Sequence, residues 1–210
     1  MYFSNFVDLT PASPCAEGGR SLVYHHPDFE NVLLKIHKKQ GPVKFKKRLS
    51  ALFRHSKRRL GAYREWHTEY EEYISAINKI GSCPDFLPRC LGFVNTDYGT
   101  ALMVEKSHDE GSEDIALTLA AFIGHVDCKL VVSLLDDFFS KIARHQILFR
   151  DLHPGNLCVI RDSAGSPVNI TCVDGLGDFT LIRIRVWSKL AYRIWHQRER
   201  SRVLGLMTSE

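Results

Sequence analysis

Apolar positions change their spacing from one stretch of the chain to the next, and each spacing predicts an element. Residues 21–24 and 31–36 are short apolar runs separated by His25-His26-Pro27-Asp28, whose Pro and Asp are turn residues, so two strands are predicted. Between residues 61 and 80, Tyr63, Trp66, Tyr70, Tyr73, Ile74 and Ile77 recur mostly three or four apart, with Glu on other positions. That spacing predicts an amphipathic helix, and Gly81 is placed to end it. Residues 89–94 and 100–104 are apolar again and are joined by Asn95-Thr96-Asp97-Tyr98-Gly99, a hairpin-like connector. A small antiparallel sheet with one helix is expected over residues 1–105.

The pattern then changes character. An acidic, Gly-containing connector at 109–114 leads to an apolar stretch at 117–123 and a long helical pattern from about 127 to 145. Val131, Leu134, Leu135, Phe138, Phe139 and Ile142 form its apolar face. A polar loop at 149–156 precedes a hairpin predicted from 157–160 and 169–173, and a basic, Trp-bearing helix closes the chain. The class is α+β, with a boundary near 105–115 between a first lobe, 1–105, and a short, mainly helical second lobe, 106–210.

Composition narrows the classes. At 210 residues, with 44% hydrophobic, 25% charged and 10% aromatic residues, the chain is neither disordered nor low in complexity. Its longest weakly polar run, 115–124, is too short to cross a bilayer, and the first residues lack the basic and apolar regions of a secretory signal. Six scattered cysteines without a C-x-x-C pair read as reduced thiols, and a cytoplasmic location is expected. Ten histidines show no zinc-site spacing. The net charge of +4 conceals two basic stretches. Residues 44–59 carry eight Lys or Arg and no acid, and residues 183–202 carry seven against Glu199, so the remainder is net acidic.

The chemistry concentrates in Phe149-Arg150-Asp151-Leu152-His153-Pro154-Gly155-Asn156 and, one hairpin later, Val173-Asp174-Gly175-Leu176-Gly177-Asp178. Phosphoryl transfer needs a carboxylate near the attacking hydroxyl and oxygen ligands that hold Mg²⁺ against the phosphates. Asp151, Asn156 and Asp174 supply those parts. A polar turn before a hairpin is the plainer reading of the same residues. The two segments resemble the protein-kinase-like superfamily, in the Asp-Leu-His-Pro-Gly-Asn form of small-molecule and other atypical kinases. The resemblance implies a minimal two-lobe kinase-like fold that uses ATP and Mg²⁺, with Asp151 as the catalytic base and Asn156 and Asp174 as metal ligands.

Upstream residues extend the likeness. Glu17-Gly18-Gly19-Arg20 resembles a glycine-rich loop, in which absent side chains let backbone amides approach phosphates. Lys35 lies in the apolar run Val32-Leu33-Leu34-Lys35-Ile36, where a charge needs a partner. By resemblance it contacts the nucleotide phosphates and pairs with a helix Glu. Glu69 is the first choice, with Glu65 and Glu72 as alternatives; solvated positions for Lys35 and Glu69 are the plainer readings. Met103-Val104-Glu105 ends the last strand of the first lobe, where backbone groups would meet adenine and the Glu105 side chain meets solvent.

A narrower likeness runs along nearly the whole chain. Gly19-Arg20 with Val23-Tyr24-His25-His26-Pro27, the Lys35-Ile36 strand, Leu87-Pro88-Arg89 with Gly92, and Thr96-Asp97-Tyr98-Gly99-Thr100 are the first part of it. Gly177-Asp178-Phe179-Thr180-Leu181-Ile182 and Trp187-Ser188-Lys189 complete it. Together they resemble the YrbL-like PhoP regulatory network protein family, short bacterial proteins of the kinase-like superfamily. Departures from protein kinases matter: Phe149 stands where His is usual, Gly175-Leu176-Gly177 follows Asp174, and only 36 residues remain after Asp174. A small-molecule or glycolipid acceptor, such as a cell-envelope sugar, is expected rather than an extended peptide. A nucleotide-binding regulatory module acting through a protein partner is the alternative. In the last helix, Trp187, Leu190, Ala191, Ile194 and Trp195 lie among basic residues, which suits either packing on the second lobe or lying on an anionic membrane. No nucleic-acid partner is expected, because a basic patch alone reads no bases.

Overall fold

A mainly apolar run suits a strand covered on both faces, and Val32–His37, interrupted by Lys35 and ending on His37, is such a strand. The computed structural model, which describes residues 6–38, 60–122, 128–178 and 184–207, places it inside a six-stranded sheet. In chain order the strands are β1 (Phe6–Val7), β2 (Ala16–Glu17), β3 (Ser21–His25), β4 (Val32–His37), β5 (Cys90–Thr96) and β6 (Gly99–Glu105), and their spatial order is β1-β5-β6-β4-β3-β2. The pairs are antiparallel except β1 with β5, which are parallel, so the sheet is mixed rather than purely antiparallel as expected. Two-residue strands such as β1 and β2 are too short to carry an alternation signal. The basic stretch 44–59 lies outside the described residues.

One face of this sheet buries Leu34 and Ile36 with Val7, Leu9, Tyr24, Val94 and Ala101. Each large aliphatic side chain removed from water there contributes about 1.5–3 kcal/mol. The two-residue turn after β5 is held by Thr96, whose hydroxyl donates to Gly99 O at 2.7 Å.

The chain divides into two compact units, residues 1–67 with 89–106 and residues 68–88 with 107–210. Helix α1 (Arg64–Ile80) begins in the first, where Trp66 is buried and stacks on His37 at 4.2 Å, and continues into the second. Gly81, at φ 85°, closes it by donating to Ile77 O at 2.7 Å.

The second unit also holds α2 (Leu119–Phe122), α3 (Cys128–Arg144), the hairpin β7 (Leu157–Arg161) and β8 (Pro167–Cys172), α4 (Ile184–Trp187) and α5 (Lys189–Met207). As the heptad-like spacing predicts, α3 buries Val131, Leu135, Phe138, Phe139 and Ile142. Phe138 packs edge-on to Phe86 at 6.0 Å and lies 6.0 Å from Phe149, so Phe149 is a core residue. The acidic connector is anchored to β7: Asp109 accepts from the Arg161 backbone and side chain, each at 2.8 Å.

Burial, with the Asp109 carboxylate adding to it, pushes the Cys158 thiol up to about 11. Cys15 and Cys83 are exposed, whereas Cys158 and Cys172 are buried. A thiol reagent at pH 8 is therefore expected to label Cys83 and Cys15 in the native protein and Cys158 only on unfolding, as read by peptide mass mapping. Fast native labelling of Cys158 would show that the hairpin opens.

Candidate functional site

The loop after α3 is shaped residue by residue. Pro154 starts a short 3₁₀ turn, Pro154–Asn156, for which its fixed φ is suited. His153 caps the turn: its Nδ1 accepts from the Gly155 amide at 3.0 Å, and its carbonyl accepts from the Asn156 amide at 2.8 Å. A Cβ on Gly155 would stand 2.8 Å from the His153 ring, so glycine is what lets the imidazole close over the turn. Asn156 then reaches back, and its Nδ2 donates to the Asp151 backbone oxygen at 3.0 Å. With the amide nitrogen committed there, the amide oxygen is directed away from that carbonyl.

The second segment is brought to the first by backbone pairing. Arg150 N donates to Gly175 O at 2.7 Å, Gly177 N to Leu148 O at 2.8 Å, and Phe149 bridges Leu176. Val173 N donates to Asn156 O at 2.9 Å, which fixes the start of the segment as well. Gly175 sits at φ 84°, and a Cβ there would lie 2.7 Å from Asp151 O and 3.4 Å from Asn156 Nδ2. Asp174, one residue earlier, accepts from the Gly175 amide at 2.8 Å. Asp151, Asn156 and Asp174 are thus gathered around one backbone crossing. The Asp151 side chain is 53% exposed, with His153 Nε2 3.8 Å from its Oδ2.

These contacts give glycine different meanings at two places. Gly175→Ala is expected to cost at least about 2 kcal/mol in denaturant unfolding, from the positive φ and the clash with Asp151 O. Gly19→Ala is expected within about 0.5 kcal/mol of wild type, since a Cβ there meets nothing within 4 Å. Equal effects at the two sites would contradict this geometry.

In the first unit, Gly18 and Gly19 form the β2–β3 turn, where Gly18 N donates to Ser21 O at 2.9 Å and Lys38 Nζ to Gly18 O at 2.6 Å. Neither glycine has a positive φ, so backbone conformation does not require them. Lys35 is buried on the interior strand β4, between Val23 and Leu102, and is not an edge residue. Met103 is sheet-paired with Leu34, while Glu105 N donates to Arg89 O at 2.8 Å and Lys106 N to Asn31 O at 2.9 Å. The Glu105 carboxylate is 3.7 Å from Arg89.

In the second unit, Glu69 is buried, and its helix neighbour Glu72 accepts from the Leu148 amide at 3.0 Å, tying α1 to the segment that leads to Asp151. Glu65, counted with the first unit, pairs with Arg20.

The sequence marks no role for Asp178, although it lies in the second segment, nor for Arg185 or Arg202. Asp178, with a side chain only 1% exposed, takes a two-pronged ion pair from Arg185 of α4, Nη2 to Oδ1 at 2.6 Å and Nε to Oδ2 at 3.0 Å. Arg185 also donates to Phe149 O at 3.4 Å and lies over the Trp195 ring at 5.1 Å. The available signal was an acid set between Gly177 and an aromatic residue, followed by an Arg among apolar residues. From α5, Arg202 donates to Leu152 O at 2.7 Å, a second brace on the loop.

Among the described residues no group of three His, Cys, Asp or Glu is placed to hold a metal ion. Mg²⁺ needs no such cage, because it is bound through one or two protein oxygens together with phosphates and water. The Asn156 amide oxygen and the Asp174 carboxylate, with the Gly175 cradle between them and Asp151, fit that donor set.

Comparison with known proteins adds two findings. No curated protein matches the chain. A family model described as PhoP regulatory network protein YrbL matches residues 7–207, nearly the full length. The chain therefore belongs to the PhoP regulatory network protein YrbL family.

Proposed function

We propose that the protein is a minimal two-lobe, kinase-like phosphotransferase that uses ATP and Mg²⁺ and acts on a non-protein hydroxyl, a small molecule or a cell-envelope glycolipid. The observation that carries this reading is the locked crossing of two loops, in which Asn156 bonds to the Asp151 backbone and Gly175 leaves room for both. That lock fixes the Asp151 backbone and the Asn156 side chain beside Asp174, while leaving the Asp151 carboxylate exposed to an incoming hydroxyl. Asp151 would orient the acceptor hydroxyl and take its proton as the new oxygen–phosphorus bond forms and the bond from the γ-phosphorus to the bridging oxygen breaks, releasing ADP. Asn156 and Asp174 would hold Mg²⁺, which would supply neutralisation of the phosphate charge. Lys35, an ammonium buried in an interior strand, suits a phosphate contact and a carboxylate partner, for which Glu69 is the buried helix candidate. Gly18 and Gly19, unexplained by conformation, suit close approach of phosphate oxygens to the backbone.

The acceptor class follows from spacing. Only nine residues, 175 to 183, separate Asp174 from the start of α4, too few for an activation segment that holds an extended peptide.

A regulatory module that binds nucleotide without turnover is the second reading. It is favoured by the amides of Glu105 and Lys106, both already committed to carbonyls of their own unit, which leaves adenine fewer donors there. The two readings part on chemistry. A phosphotransfer screen with labelled ATP against soluble metabolites and envelope glycolipids is expected to yield a labelled product. Binding of Mg·ATP with no transfer to any acceptor and no hydrolysis would select the module.

A further inference from the structure

Helix α5 carries more apolar surface than its packing uses. It buries Tyr192, Val203 and Met207 against the second unit, and the Tyr192 hydroxyl donates to Ile142 O at 2.7 Å. A helix packed on one side normally turns a polar face outward. Here Leu190 is 68% exposed and Ile194 60%, four residues apart and therefore on one line, and Trp187, at the end of α4 just before the break at Ser188, is 79% exposed.

One position round the helix runs a second line, Lys189, Arg193 and Gln197, again four apart. This line forms one wall of a cleft of about 790 Å³, which is also lined by the cations Lys79 and Arg144 and by the imidazoles of His145 and His196. Among the described residues no Asp or Glu lines the cleft. Lys79 is committed to Gln146 O at 3.1 Å and approaches Glu72 at 3.7 Å. Among the described residues Lys189, Arg193 and Arg198 make no ion pair, although Arg200 and Arg202 on the same helix do. The uncompensated cations therefore cluster beside the exposed apolar line, not evenly along the helix.

An apolar ridge next to a cationic cleft without acids complements a ligand that is anionic and apolar at adjacent points. We propose that α4 and α5 form a docking surface for an anionic lipid bilayer, with Trp187, Leu190 and Ile194 entering the headgroup and acyl boundary and the cleft taking a lipid phosphate. Arg198 continues the apolar line at i+4 from Ile194 and meets the same headgroup layer. The surface is separate from Asp151, Asn156 and Asp174, so its failure would leave the nucleotide reading untouched.

The test is co-sedimentation of the full chain with vesicles of phosphatidylcholine alone or mixed with phosphatidylglycerol. Binding is expected only to the mixed vesicles and is expected to weaken as salt rises. Replacing Lys189 and Arg193 by Gln is expected to weaken it roughly fivefold per residue. Leu190→Gln with Ile194→Gln is expected to weaken it at least about tenfold, with thermal unfolding unchanged because both side chains are exposed. A blue shift of the fluorescence lost in Trp187→Phe is expected on vesicle addition. Equal binding to both vesicle types, or none to either at low salt, would overturn the proposal. So would stabilisation by inorganic phosphate without vesicle binding, which would assign the cleft to a soluble phosphate. A dimer dissolved by the Leu190 and Ile194 substitutions, with no vesicle binding, would assign the ridge to a second copy instead.

Discussion

Phosphotransfer by Asp151→Asn is expected to fall by about 10²- to 10⁴-fold, the usual contribution of a positioned proton acceptor, while its unfolding midpoint and Mg·ATP affinity stay near wild type. The two ends of Asp151 do different work. Structural work is done by the backbone of Asp151: its carbonyl accepts from Asn156 Nδ2 and sits against Gly175. The carboxylate is 53% exposed, and among the described residues its one ion-pair neighbour is His153 Nε2, at 3.8 Å. Asparagine keeps the shape and loses the ability to take a proton. The measurement is labelled-phosphate transfer to whichever acceptor supports turnover, alongside denaturant unfolding. Wild-type rates in the variant would remove Asp151 from catalysis.

The largest effect on stability is expected at Asp178. Removing one partner of a buried ion pair leaves the other charge uncompensated, which costs about 3–5 kcal/mol. Asp178 is buried and Arg185 is 16% exposed by side chain, so little water reaches either group. Asp178→Ala is therefore expected to lose a loss in that range in urea unfolding. Asp178→Asn, which retains an acceptor for one N–H, is expected to lose less. Combining Asp178→Leu with Arg185→Met is expected to recover part of the loss, because an apolar pair leaves no charge behind. A loss below about 0.5 kcal/mol in Asp178→Ala, the size of an ordinary surface change, would show that the pair does not hold the segment.

How far these features could be read from the sequence depends on the range over which they are encoded. β3, β4, β5, β6, α1, α3 and the β7–β8 hairpin were legible, because spacing along the chain encodes them directly. The Gly81 terminator was legible for the same local reason. β1 was not: two residues pair in parallel with Asn95 and Thr96, and no turn or alternation marks them. At the site, Pro154, Gly155 and Asn156 were recognisable as a set, but the tasks of His153 as a cap and of Gly155 as space for its ring emerge only from the folded turn. Phe149 looked like a departure from the kinase pattern; its burial against Phe138 explains it as a core position. Asp178 and Arg185, seven positions apart, form an ion pair that no sequence periodicity describes. The closing helix was described by two readings, and both faces exist. One packs through Tyr192, Val203 and Met207, and the other stands exposed through Leu190 and Ile194.

The central claim is a Mg²⁺-dependent nucleotide site built on Asn156 and Asp174, and isothermal titration of the full chain with ATP tests it most directly. The wild type is expected to bind ATP when Mg²⁺ is present, with affinity lost on chelation, and Asp174→Ala is expected to lose most of that binding while remaining folded. No binding by the wild type, or equal binding by Asp174→Ala, would contradict the account.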